Sequence, residues 1–429
     1  MNSTERYLDN SISRRTFLTS SGLLAFSCAF GNIRTADRTS ESKPAYLLKP
    51  IGRTLMLENY FIWCSSPIWG KDGKVHLFYS RWTKDKGMGG WLRGSEIGHA
   101  VAENPYAQFE HREVVVAPRD GFWDSMTCHN PLIKEFNGTY YLYYIGCSNG
   151  KTDTKRIGVA TSKSLDGPWE RSPGPILPVG EEGAWDDHCT TNPAVIKGDD
   201  DLYWLYYKSW NTAEYLAQKG VVRGNRKYGL AKSSSPIGPF IKVASNPVID
   251  FSAMPHNAQL EDAFVWKDEE GYKLIARDMG FYNHEYGLLL KSSDGHDWKG
   301  PDVAYLNMGA YIEEPAPPSN LKRFGRLERP MLLLENNSGK PQFLFGATQG
   351  GPFQTSTTFV FQIIEYNRGT RQNHELATKQ TDLEISGELT VDNPQPVVGV
   401  VTDDCGGWSQ DTTAGRKICR APYNSKKSE

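Results

Sequence analysis

Past its N-terminal segment this chain has no apolar run long enough to span a membrane. Net charge is equally slight. Lys and Arg number 48 against 50 Asp and Glu, a formal balance of -2, so nothing argues for nucleic acid or an anionic membrane surface as a partner. Cysteine is sparse, seven in 429 residues, and no C-x-x-C or H-x-x-x-H spacing marks a zinc site. Cys64, Cys128 and Cys189 stand shortly before Pro67, Pro131 and Pro193 and read as small buried residues on inner strands. Cys405 and Cys419 near the C-terminus could pair. Helical periodicity is almost missing, which argues against helix bundles and α/β folds.

What is present is repetition. Trp123-Asp-Ser-Met-Thr-Cys-His-Asn-Pro-Leu-Ile133 leads through Asn137-Gly138 to Tyr140-Tyr-Leu-Tyr-Tyr144. The same pattern returns as Trp185-Asp-Asp-His-Cys-Thr-Thr-Asn-Pro-Ala-Val195, the turn Gly198-Asp-Asp-Asp201 and Leu202-Tyr-Trp-Leu-Tyr-Tyr207. Related units surround Trp63 to Tyr79, Gln259 to Ala276 and Leu327 to Phe345. With Pro67, Pro131, Pro193, Ala263 and Pro330 as anchors, successive offsets are 64, 62, 70 and 67. A second series keeps the register: Ile97-Gly-His-Ala, Ile157-Gly-Val-Ala, Tyr228-Gly-Leu-Ala and Tyr286-Gly-Leu-Leu. These are third strands, whose small residues permit close approach to a neighbour. Five such units predict an all-β, five-bladed β-propeller over residues 45–366, its channel walled by the innermost strands.

Residues 1–44 are set apart as signal and linker. Ser13-Arg14-Arg15-Thr16-Phe17-Leu18 precedes a short apolar run and reads as a twin-arginine export signal, predicting a periplasmic or extracellular protein. Ala25-Phe26-Ser27 makes a poor lipobox for a lipid anchor at Cys28. Residues 367–429 are polar and read as an appendage.

The polar lead-ins to the inner strands bring Glu58, Asp124, Asp186, Asp187, Glu261, Asp262 and Glu328 toward one end of the channel. Clustered carboxylates repel unless their proton affinities diverge, which yields an acid and a base. Glycoside hydrolysis uses such a pair. Trp123 and Trp185 would offer flat faces to a sugar. His129, His188, Asn130, Asn192, Arg277, Asp278 and Arg329 would contact hydroxyls or a sugar carboxylate. Each has a structural alternative: lead-in Asp residues also cap strands, and Glu328 could simply pair with Arg329 or Arg326. Glu261 and Asp262, adjacent on an inner strand, have no evident stabilising purpose.

These repeats, with the Ile-Gly-x-Ala-x-Ser…Gly-Pro-Trp motif, resemble the five-bladed propeller glycoside hydrolases, family 43 in particular. The resemblance implies Glu261, in Glu-Asp-Ala-Phe-Val, as general acid, and inversion as the expected stereochemistry. Two positions depart from that pattern. The base, an Asp before the Pro of blade one, is Ser66 in this alignment, and the modulating Asp of blade three is Asn192. The base or orienting carboxylate would then be Asp187, Asp186 or Asp124, and Glu328 is the alternative position for the acid. No clear basic cluster for a phosphorylase's phosphate is evident, although Arg277 and Lys208 leave room for one. The expectation is an exported, monomeric glycosidase acting on plant or algal glycans. It requires no cofactor, and a structural divalent ion in the channel stays open. The alternatives are a non-catalytic carbohydrate-binding propeller and a uronate lyase with a Tyr, His or Lys base.

Overall fold

The computed structural model describes residues 43–364 except 219–222, 255–256, 316–322 and 337, together with the backbone of two short C-terminal strands. All but the last two residues of the expected leader, and the side chains of Cys405 and Cys419, lie outside the described residues. The strand β1 (Leu47–Leu55) comes first. Four consecutive four-stranded sheets follow. Blade one holds β2 (Tyr60–Trp69), β3 (Val75–Thr83), β4 (Glu96–Ala102) and β5 (Glu110–Val116). Blade two holds β6 (Thr127–Phe136), β7 (Thr139–Cys147), β8 (Arg156–Ser162) and β9 (Glu170–Arg171). Blade three holds β10 (Thr191–Lys197), β11 (Tyr203–Ser209), β12 (Lys227–Ser233) and β13 (Ile241–Lys242). Blade four holds β14 (Gln259–Asp268), β15 (Gly271–Met279), β16 (Gly287–Ser292) and β17 (Lys299–Tyr305).

The fifth sheet is composite. β18 (Glu328–Leu334), β19 (Pro341–Gly350) and β20 (Thr355–Ile364) supply three strands, and β1 pairs antiparallel with β20 as the fourth. The innermost strands touch in the order β2, β6, β10, β14, β18 and back to β2, so the sheets close into a five-bladed propeller. Closure hides most strand edges. By itself, the C-terminal segment shows a short antiparallel pair, β21 (Ser409–Asp411) with β22 (Ile418–Arg420).

The third-strand glycines are needed for close approach. A Cβ on Gly98 would lie 2.8 Å from the Tyr79 ring, and one on Gly229 would lie 2.5 Å from Tyr207. In blades one to three an aromatic of the second strand therefore rests on bare backbone, and Tyr79, Tyr144 and Tyr207 are fully buried. Cys64, Cys128 and Cys189 are buried free thiols, as their spacing suggested, and Cys147 is a fourth.

Each innermost strand carries a β-bulge at the same height. The breaks fall at Trp63/Ser66, His129/Leu132, Thr191/Ala194, Glu261/Phe264 and Glu328/Met331. One residue of each bulge is left-handed: Cys64 (φ 56°), Asn130 (φ 54°), Asn192 (φ 51°), Asp262 (φ 63°) and Arg329 (φ 55°). A bulge re-aims its side chain and leaves backbone groups unpaired. Side chains from other strands take up some of them: Ser80 accepts from Asn130 N at 2.9 Å, and the Tyr228 hydroxyl accepts from Ala263 N at 3.0 Å. The bulges also correct the alignment of blade one. Its counterpart of Asn130 and Asn192 is Cys64, so the anchor is Ser65 rather than Pro67. Ser66 instead accepts a bond from Ile133 N in blade two, at 3.1 Å.

Candidate active site

The five left-handed residues form a chain of contacts around the axis. The Cys64 thiol donates to Asn130 Oδ1. Asn130 Nδ2 donates to Asn192 Oδ1 at 3.1 Å, and Asn192 Nδ2 donates to Asp262 Oδ1 at 2.6 Å. Arg329 Nη1 reaches the same Asp262 oxygen at 2.8 Å. Asp262 and Arg329 are both buried, so Arg329 supplies the positive charge a buried carboxylate requires.

A cavity of about 250 Å³ opens against this ring. Every innermost strand contributes to it, through Trp63, His129 with Asn130, Thr191 with Asn192, Glu261 with Asp262, and Glu328 with Arg329. Its aromatic walls are Trp63, Trp82, Trp91, Trp210 and Tyr215. Lys208 and Arg277 enter from equivalent places on second strands, paired opposite Thr191 and Glu261. Lys155, Arg223, Arg226 and Arg323 complete its cations.

Among the described residues three carboxylates line the cavity: Glu261, Asp262 and Glu328. Glu261 pairs with Lys208, and Arg226 Nε and Arg277 Nη1 lie 3.5 and 3.8 Å from it. Burial opposes the charge on Glu261, yet Lys208, Arg226 and Arg277 together outweigh it and hold the carboxyl well below the usual range. Arg277 Nη1 also binds Glu328 Oε2 at 2.9 Å, so one guanidinium nitrogen stands between the two glutamates. Arg323 approaches the same Oε2 at 3.3 Å, while Glu328 Oε1 is buried without a hydrogen-bond partner. Burial pushes Lys208 down to about 8, against the pull of Glu261. His129 bonds Ser95 at 2.8 Å, and burial keeps its imidazole neutral, with Arg329 next in effect.

Of the residues expected at the site, the cavity unites Glu261, Asp262, Glu328, His129, Asn130, Asn192, Arg277 and Arg329. Asp124, Asp186, Asp187, Trp123, Trp185 and His188 do not line it. Asp124 is fully buried between Arg119 at 3.0 Å, Arg171, and the Tyr144 hydroxyl at 2.8 Å. Asp186 repeats the arrangement with Lys242 at 2.6 Å and the Tyr207 hydroxyl at 2.8 Å. Each aspartate thus clasps its blade's second strand to the outermost one. Trp123 and Trp185 stack on Tyr144 and Tyr207 in the same clasps, at 5.7 Å between centroids. The Trp-Asp repeat records a blade-building device, and these aspartates are not placed to serve as the base. Asp187 accepts from Thr212 N at 2.6 Å and Gly183 N at 2.9 Å, which secures a loop. His188 stands behind the wall, stacked on Trp210 at 5.4 Å and bonded to Thr152 at 2.9 Å. Asp278 caps the turn amides of residues 280–283, and Glu58 is exposed on a turn.

Sequence reasoning missed Lys155, Arg226, Trp91 and Trp210. Lys208 and Arg277 share one place in successive repeats, a signal that could have marked the cationic wall. Among the described residues one group has metal-ligand spacing, His76, His99 and Asp166, and none of them lines the cavity. Its two imidazoles already bond each other at 2.9 Å.

No family model matches the sequence. Among solved structures, a family 117 glycoside hydrolase of the marine bacterium Zobellia galactanivorans superposes with TM-score 0.55 at 19% identity, covering 79% of this chain and 99% of that one. The GH43_1 enzyme of Xanthomonas citri, solved with xylotriose, gives TM-score 0.50 at 17% identity, covering 76% of this chain and 92% of that one. The fold is that of the propeller glycoside hydrolases. A curated relative, xylosidase/arabinosidase 43A of Humicola insolens, is 24% identical over 209 residues, 45% of this chain. The match spans 59% of that relative's length. No helix among the described residues is long and apolar enough to cross a membrane.

Proposed function

We propose that this protein is a glycoside hydrolase, exported through its twin-arginine segment and acting as a monomer on plant or algal poly- and oligosaccharides. One observation carries the reading: Glu261 and Glu328 flank a single Arg277 nitrogen inside an aromatic-walled cavity on the propeller axis. Paired carboxylates beside flat rings suit sugar binding and glycosidic cleavage.

Glu261 is the proton donor to the leaving oxygen and Glu328 the base, its unpartnered Oε1 accepting a proton from water. The water oxygen bonds to the anomeric carbon as the glycosidic C–O bond breaks. The water proton goes to Glu328, and the Glu261 proton goes to the leaving alcohol. Asp262 holds its place through Asn192 and Arg329. Cys64 and Asn192 stand where family 43 would carry its base and modulating aspartates, so the second carboxylate comes from blade five. Its cations hold Glu261 ionised, and donation requires that substrate binding loosen their hold.

The experiment is sugar release by the mature protein beside Glu261→Gln and Glu328→Gln. Loss of an acid or base lowers rates by about 10²–10⁴. Glu261→Gln should lose activity on natural glycans yet keep it on aryl glycosides whose leaving group needs no proton. Glu328→Gln should lose both and regain turnover with azide. Undiminished release from natural glycans by Glu261→Gln would move the acid elsewhere. Binding of a glycan with no release by the parent would favour a binding propeller. A second reading, a uronate lyase, draws on Lys208, which burial brings to about 8 and which shares Glu261 with Arg277. An unsaturated, ultraviolet-absorbing product would identify it.

A further inference from the structure

The cavity holds more positive charge than its carboxylates can balance. Among the described residues, seven cationic side chains line it against three carboxylates. Asp262 is taken by Arg329, and Glu328 by Arg277 and Arg323. That leaves Glu261 to face the group around the Trp210 indole, where Lys155 Nζ, Arg226 Cζ and Lys208 Nζ lie 4.7, 5.4 and 5.7 Å from the ring centroid. Lys155 is 4% exposed and Lys208 2%. Among the described residues no carboxylate comes within ion-pair distance of Lys155, whose partners are the faces of Trp91 and Trp210. A cation–π contact returns less than burying an ammonium costs. Two further donors make no hydrogen bond: Trp210 Nε1 is buried without a partner, and Arg226 Nε has only its 3.5 Å ion pair with Glu261.

We propose that this cavity takes an acidic sugar, whose oxyanion (the carboxylate of a uronic acid or a sulfate ester) seats against Lys155, Lys208 and Arg226 beside the Trp210 ring. The proposal rests on the hydrolase reading and names its substrate class. An oxyanion there competes with Glu261 for Lys208 and Arg226, so substrate binding itself delivers the loosening that proton donation requires. Arg223, over Tyr215 at 4.2 Å, places a further charge by the same wall. Free inorganic phosphate presents the same chemistry, and the test separates it from a sugar-borne anion.

Calorimetric binding and sugar release are measured with the full chain on matched pairs: uronate oligosaccharides beside their carboxyl-reduced forms, and sulfated oligosaccharides beside their desulfated forms. The acidic member of at least one pair should bind ten-fold or more tightly. Lys155→Met should weaken it about ten- to a hundred-fold, the size of a charge-assisted contact. Lys155→Arg should retain the preference, and a circular dichroism melt checks that each variant folds. Arg223→Gln gives a second variant away from the buried lysines. Equal binding within every pair, or a preference untouched by both Lys155→Met and Arg223→Gln, overturns the proposal. Release that requires inorganic phosphate and yields a glycosyl phosphate overturns the sugar-borne source. Selective binding of acidic glycans without release supports the proposal and removes the hydrolase reading. Release from neutral glycans without acidic preference does the reverse.

Discussion

Replacing Arg329 by methionine should destabilise the propeller by about 3–5 kcal/mol, the usual effect of stranding one member of a buried ion pair. Arg329 and Asp262 are each under one-tenth exposed and meet at 2.8 Å. Without the guanidinium, the Asp262 carboxylate keeps only the Asn192 amide, at 2.6 Å. For a domain of roughly 320 residues, an unfolding entropy of about 2.1 cal/mol/K per residue converts that loss into a melting point lower by roughly 4–7 °C. Asp262→Asn should destabilise for the complementary reason, leaving Arg329 unpaired. The double variant removes both charges and should recover most of the loss, with a coupling of about 3 kcal/mol. Chemical denaturation of the four proteins measures that coupling. Single losses that add within about 0.5 kcal/mol would refute the assignment of Arg329 as the compensating charge of the ring.

Affinity for acidic glycans should fall as pH rises through about 8, where Lys208 loses its proton, and Lys208→Arg should remove that alkaline limb because arginine stays charged. A steady affinity to pH 10 in the parent would contradict it. Gly229→Ala should destabilise by about 1–3 kcal/mol through overpacking against Tyr207, read by denaturant midpoint, and Tyr207→Leu in the same chain should recover part of the loss. Asp124→Asn should lower stability by about 2 kcal/mol or more, since Arg119 and Arg171 would lose their buried partner, while sugar release per folded molecule stays at the parent level. Lost release at unchanged stability would return Asp124 to the chemistry.

The propeller was legible because its repeat is made of features that sequence displays directly. Third-strand glycines recur where an aromatic ring leaves no room for a Cβ, and the Trp-Asp lead-ins recur because each builds a clasp. The same regularity misled at the site. The segments of Asp124 and Asp186 precede inner strands and so point to the axis, but spacing does not reveal which way a side chain turns, and their partners Arg171 and Lys242 lie on outermost strands. The register of blade one slipped by two residues because Pro67 was matched to Pro131. The feature that aligns the blades is the left-handed bulge, and Cys64 occupies it with no proline behind. The cationic wall was hidden for a different reason: Lys155, Lys208 and Arg226 are far apart in sequence and meet only around Trp210.

The order in which the ribosome releases this chain conflicts with the order in which its last sheet is completed. β1 emerges first, yet its partner β20 is the last strand of the propeller to appear. Until then β1 has an unsatisfied edge and the last sheet lacks its rim. Contacts between chain segments so distant are slow to form, and exposed edges in the interval invite pairing with other chains. The nascent propeller is therefore most vulnerable to aggregation just before its end is made. A holdase that shields β1 during synthesis would raise the yield of folded protein more than one that shields any strand of the middle blades.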